Sequence, residues 1–311
     1  MKRTQILSLF LMLFLASSCE KAILDESKAE KTETISSTSS SLPKGNVLLS
    51  IEQLEQVPFR MVTKGVADEL PTHLCFAIYD MSGTRIKQVK QTLSNTDLGV
   101  ADLGIMADFG HASFSLEKGT YQLVALAHSS TKNPTMTNLS KIQFTNALGY
   151  SDTFLYYTVL TVSDAPLSIH LTLDRICALC RFVISDPIPD GVSQIKFQYK
   201  GGSGHFSAFT GLGVTNSTQV VTRQVQPGQQ HQVFDLYTFL HQEEGVIDLT
   251  ATALDAAGKE LCTWEFSIPM AQNQITWLTG NFFGNSYPDQ WRVIPNIHLD
   301  KYWGNEMFYY Y

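Results

Sequence analysis

The sequence predicts an all-β protein, with two β-sandwich domains in tandem behind a flexible N-terminal stalk. Three observations carry this. Short runs of alternating apolar and polar residues recur from Val47 onward, Gly, Pro and Asp punctuate the gaps, and no stretch of eleven or more residues has helical periodicity.

The chain opens with Lys2 and Arg3, an apolar run at 6–15, and the small residues Ala16, Ser17 and Ser18 ahead of Cys19. A run of about ten residues is too short for a bilayer that needs roughly 20 in a helix, so residues 1–18 read as an export signal that is then removed. The small-residue approach to one cysteine is a lipobox. The Cys19 thiol takes a diacylglyceryl group, and a peptidase cuts just ahead of it. Acyl chains such as palmitate each contribute roughly 0.8 kcal/mol per buried CH₂, so several of them anchor a protein firmly. Residues 19–45 then form a lipidated, flexible linker, because a segment rich in Ser, Thr, Lys and Glu, including Thr38-Ser-Ser-Ser41, buries too little apolar surface to offset its ordering entropy.

The first domain, 46–174, starts with a strand at 47–51. Leu74-Cys-Phe-Ala-Ile-Tyr79, the turn Asp80-Met-Ser-Gly83 and a run at 84–89 read as a hairpin, with Gly where positive φ is wanted. Further strands are expected at 119–128 and 154–162. Leu167-Ser-Ile-His-Leu-Thr-Leu173 sets four aliphatics on one face against Ser168, His170 and Thr172 on the other, a half-buried strand.

About 265 residues beyond the stalk exceed what one sandwich usually holds, which puts a boundary near Asp174 and a second domain at 175–311. A strand at 176–184 opens it. In Gln194-Ile-Lys-Phe-Gln-Tyr-Lys200, alternation turns Ile195, Phe197 and Tyr199 inward. A strand at 247–254, the turn Asp255-Ala-Ala-Gly258 and the alternation of Cys262, Trp264, Phe266 and Ile268 repeat the hairpin scheme, and a strand at 274–283 follows. The tail at 290–311 carries Trp291, Tyr302, Trp303 and Phe308 to Tyr311, an aromatic load costly to leave in water. It either completes the second sheet, the favoured reading, or is offered to another subunit by strand addition.

With 29 acidic against 22 basic residues and no basic patch, no nucleic-acid partner is expected. Beyond Cys19, the thiols of Cys75, Cys177, Cys180 and Cys262 sit in apolar segments. Two disulfides are conceivable, but core packing is the better reading. The spacing of Cys177 and Cys180 sends them to opposite faces of a strand, which argues against a zinc or redox pair, so neither metal nor cofactor is expected. Ser203 stands beside His205 in Gly201-Gly-Ser-Gly204-His205, but the segment lacks a nucleophile elbow and its α/β setting and reads as a flexible loop. Glu243-Glu244 reads as a solvated turn, and no histidine is nominated as catalytic. An enzyme is not expected.

The lipobox at Cys19, Leu74-Cys-Phe-Ala-Ile-Tyr-Asp-Met-Ser-Gly83, Leu173-Asp-Arg-Ile-Cys-Ala178, and Ile268-Pro-Met-Ala-Gln-Asn-Gln-Ile-Thr-Trp-Leu-Thr-Gly280 with Phe282-Phe283 stand out along the chain. Together these segments resemble the fimbrillin-like proteins of Bacteroidales, especially the FimB/Mfa-type fimbrial anchor and accessory subunits. The resemblance implies two transthyretin-like Greek-key sandwiches, an outer-membrane lipoprotein, and assembly with fimbrial shaft or accessory subunits by β-strand complementation. Shaft subunits of such families are cut by an arginine- or lysine-specific protease; Arg60 and Lys64 are conceivable cut sites here and read equally well as flanks of an ordinary strand. An anchor must stay uncut, since cleavage after Arg60 would part the protein from Cys19. The separation of Glu20 from Asp25-Glu26 departs from the tight acidic cluster of surface-exported lipoproteins, which leaves the membrane face open. The alternatives are a tip adhesin, or a surface lipoprotein that captures glycan through aromatics such as Trp291 and Trp303.

Overall fold

Alternation becomes nineteen strands and, among the described residues, no helix. The structure, a computed structural model, describes residues 33–34, 45–54, 57–58, 71–93, 109–145, 149–284 and 305–310. In chain order the first ten are β1 (Glu33–Thr34), β2 (Val47–Leu54), β3 (Val57–Pro58), β4 (His73–Tyr79), β5 (Arg85–Thr92), β6 (His111–Phe114), β7 (Gly119–His128), β8 (Ile142–Gln143), β9 (Thr153–Val162) and β10 (Leu167–Arg175). Then come β11 (Ala178–Ile184), β12 (Gln194–Gly202), β13 (His205–Phe206), β14 (Ser217–Gln224), β15 (Gln232–Thr238), β16 (Glu244–Leu254), β17 (Glu260–Ala271), β18 (Gln274–Gly280) and β19 (Asn305–Tyr310).

The pairings show one topology used twice. In the N-terminal half, β5, β4, β7 and β9 form an antiparallel row, while β2 pairs antiparallel with β6 and parallel with β10. In the C-terminal half, β14, β12, β16 and β17 form the matching row, and β11 pairs antiparallel with β15 and parallel with β18. In each half an early strand, β2 or β11, therefore lies parallel beside a late one, β10 or β18. Such a pair needs a long crossover, which the intervening strands supply.

Each half closes around its own core. Val47, Leu49 and Ile51 of β2 pack with Leu74, Phe76 and Ile78 of β4 and with Leu171 and Leu173 of β10. In the C-terminal half Phe182 is the hub, with ring centroids at 5.3 Å from Phe197, 5.6 Å from Phe266 and 6.1 Å from Phe282. Pairs of this kind are worth about 0.5–1.5 kcal/mol each beyond the area they bury. The inward faces of β12 and β17 are those that the alternation assigned, with Ile195, Phe197, Tyr199, Phe266 and Ile268 all buried.

A third cluster explains the run Leu74-Cys-Phe-Ala-Ile-Tyr79. Its second face, Cys75, Ala77 and Tyr79, does not meet water but packs under Met136, Leu139, Ile142, Phe144, Phe206 and Phe239. A strand covered on both sides loses its alternation and becomes continuously apolar. Cys177 belongs to this middle cluster and Cys180 to the C-terminal core, so the two thiols do part to opposite sides.

The hairpin turn read at Asp80 is present. Asp80 Oδ1 accepts the Ser82 and Thr84 amides at 2.9 Å, and Asp255 Oδ1 repeats this with Ala257 at 2.9 Å and Lys259 at 2.8 Å. In the expected linker, Glu33 and Thr34 form a two-residue strand beside Val89 and Lys90 of β5. One expectation needs correction. The segment from Gly201 to His205 is not a flexible loop. Gly201 and Gly202 end β12, Ser203 bridges to Phe239, and His205 pairs with Gln143.

Candidate assembly surface

The rim of the C-terminal sheet carries the feature most relevant to assembly. β19 lies parallel along β18, from Gln274 opposite Asn305 to Thr279 opposite Tyr310, and extends the row β15, β11, β18 by one strand. Phe308 stacks on Trp277 with centroids 5.7 Å apart and planes 14° from parallel. The Arg181 guanidinium sits 5.0 Å from the Trp277 ring and is itself gripped by Asp235, at 2.7 Å and 2.9 Å. Tyr309 packs on the core, and burial raises its phenol above the ordinary range. The described end of the aromatic tail thus completes the chain's own second sheet.

The N-terminal half differs at the matching place. Here β10 pairs with β9 only at Asp174 and Arg175, and no strand of the described residues runs along Leu167–Leu173 on the side away from β2. Sheet rims of this kind offer unpaired N–H and C=O groups.

Cys19, where the sequence predicts lipid attachment, and the processing candidates Arg60 and Lys64 lie outside the described residues, as do Trp291, Tyr302 and Trp303. Just ahead of Arg60, Val57 and Pro58 of β3 fold back antiparallel onto Leu54 and Gln53.

The remaining sequence candidates have structural roles. Cys75, Cys177 and Cys180 are buried free thiols, and Cys262 is a half-buried one. Burial pushes the Cys75 thiol up to about 12 and raises the other three, so thiolate chemistry at neutral pH is suppressed. Ser203 is 1% exposed, and its hydroxyl donates to the His205 carbonyl at 2.6 Å, not to the imidazole. Among the described residues no three His, Cys, Asp or Glu side chains group to hold a metal. Sequence reasoning missed β6, β14 and β15, and with them three rims of the sheets.

A family model described as family of unknown function DUF6562 matches residues 46–309. No curated protein sequence matches the chain. Among solved structures it is similar to a candidate adhesin from Bacteroides ovatus, at 14% identity and TM-score 0.47 over 75% of this chain and 88% of that one. It is also similar to the fimbrial anchor protein Mfa2 from Porphyromonas gingivalis, at 13% identity and TM-score 0.38 over 70% and 80%. A third is a fimbrial assembly protein from Parabacteroides distasonis, at 13% identity and TM-score 0.35 over 76% and 90%.

Proposed function

The chain belongs to the DUF6562 family, and we propose that it is a structural lipoprotein of the cell surface, an anchoring or accessory subunit of a fimbria joined to its neighbours by β-strand complementation. The observation that carries this reading is the seating of β19 on β18: six residues laid along a sheet rim in continuous register, fastened by a Trp277–Phe308 stack. Strand addition works in this physical form, with main-chain bonds supplying stability and alternate side chains specificity. The open flank of β10 is a second rim suited to it.

We divide the chain into domains 46–174 and 175–311, a reading that the two cores and the repeated strand order support. The lipobox supports acylation at Cys19 and attachment to the outer membrane. An anchoring role follows if the chain stays whole, because cleavage after Arg60 would leave both halves without their lipid.

Mass analysis of the N-terminus of the protein extracted from outer membranes tests the reading. Acylated Cys19 as the first residue, with a fimbrial subunit co-purifying, is expected. Met61 as the first residue would refute the anchor, and a Cys19→Ala form bound to membranes as firmly as wild type would refute lipidation.

A further inference from the structure

At the waist, where β9, the end of β10, the turn at 208–211, Glu243 and the link between β17 and β18 converge, lies an open cleft of about 680 Å³. That volume falls in the range of ligand pockets, roughly 300–1,000 Å³. Three features of its lining suit a ligand.

The first is Phe209. It is the one Phe, Tyr or Trp classed as exposed among the described residues, at 47%, and it borders this cleft. Its ring is nonetheless fixed. Tyr157 meets it edge-on at 5.0 Å and 82°, and Tyr157 is itself held by a 2.8 Å bond from its hydroxyl to Gln122. The turn beneath is pinned by Ala208 N to Leu139 O at 2.7 Å and Gly211 N to Ser207 O at 2.8 Å. At φ +69° Gly211 can lie against Ile176, where a Cβ would come within 2.6 Å of a methyl. An apolar ring left in water on a rigid mount is a preformed contact surface.

The second is a set of polar groups without protein partners. Asp174 and Glu243, both exposed, and the half-buried Gln272 border the cleft, and none has a side-chain hydrogen bond or ion pair among the described residues, so each is open to an incoming hydroxyl. Desolvation raises the Asp174 carboxyl above its ordinary range. The third is the charge balance. The one basic side chain in the lining, Arg175, is spent on Asp152 and Asn273, so two carboxylates face the cleft without a free cation.

Carboxylates and an amide that accept from hydroxyls, set beside a flat apolar ring, match the two faces of a pyranose: hydroxyls at the edge and C–H groups on the plane. The excess of negative charge disfavours acidic sugars. We propose that the cleft binds a neutral oligosaccharide, with Phe209 as the stacking platform and Asp174, Glu243 and Gln272 as partners of its hydroxyls. This site is separate from the β18 rim and does not depend on the assembly role.

The test is calorimetric titration of the full chain in detergent with neutral tetrasaccharides of glucose, mannose, galactose and N-acetylglucosamine, with tetragalacturonate as the acidic control. At least one neutral sugar is expected to bind one to one with Kd below about 1 mM. Phe209→Ala and Asp174→Asn are each expected to weaken it by about tenfold or more, with melting temperatures that stay within a few degrees of wild type. The proposal is overturned if no neutral sugar binds, if both variants bind as wild type does, or if tetragalacturonate binds as well as the best neutral sugar.

Discussion

Arg175 and Asp152 meet in a two-pronged ion pair, Nε donating to Oδ1 at 2.8 Å and Nη2 to Oδ2 at 3.0 Å, with the side chains only 4% and 18% exposed. The third nitrogen, Nη1, donates to Asn273 Oδ1 at 3.1 Å, and the Phe154 ring lies 4.6 Å from the guanidinium carbon. One side chain at the end of β10 thereby ties the N-terminal half to the link before β18.

Removing one partner of such a pair strands a desolvated charge. Arg175→Met is expected to lower unfolding stability by about 3 kcal/mol, whereas Arg175→Met combined with Asp152→Leu recovers most of the loss. Urea melts of the two variants check this, and equal midpoints for wild type and Arg175→Met would show that the pair adds nothing.

His128 gives the fold a pH dependence. Its ring stacks on His73 at 5.0 Å and 9° inside the N-terminal half. Burial, and then the charge of His73, lowers its pKa from 6.5 to about 4. Between those two values the unfolded chain binds a proton that the folded chain refuses. Stability is therefore full above about pH 6.5 and declines as the pH falls toward 4, by on the order of 3 kcal/mol, with no further change from this group below. Denaturant midpoints at pH 7.5 and 4.5 should differ in wild type and lie closer together in His128→Gln.

How legible this fold is depends on which strands are considered. The strand read at 119–128 is β7 to the residue, because both of its neighbours, β4 and β9, bury it and its apolar run is long. The unread β6, β14 and β15 are all rim strands. Ser217–Gln224 fully buries only Gln219 and Val221, so the apolar signal that marks a central strand is thin there. The cleft is harder still. Asp174, Phe209, Glu243 and Gln272 are far apart in the chain, and each alone looks like a surface residue of a turn or strand end.

Gly201 decides whether β12 can end where it does. It sits at φ +97°, and a Cβ would come 2.5 Å from the Val246 carbonyl oxygen, while at Gly202 a Cβ would strike the Thr238 side chain. Gly201→Ala combines backbone strain with a clash against main chain that cannot step aside, a loss of about 2–3 kcal/mol in a thermal or urea melt. A stability within about 0.5 kcal/mol of wild type would mean that the segment is as loose as its glycines first suggest.

The last expectation concerns Trp277 and Phe308. If β19 is seated on β18 as described, the main-chain groups that β18 turns toward it are held in a ladder and exchange slowly with solvent. Deleting residues 305–311 should then speed amide exchange across Gln274–Gly280 while leaving β12 and β16, in the other sheet of the same half, unchanged. Phe308→Ala removes the stacked ring without removing the strand, and should cost about 1 kcal/mol with a smaller rise in exchange at the same amides. Hydrogen exchange followed by mass spectrometry separates the cases. If the full chain and the deletion exchange alike over Gln274–Gly280, the strand is not seated on β18. A rise confined to those amides makes the rim a place where a strand is held by pairing and one aromatic stack, and so a place where one strand can replace another.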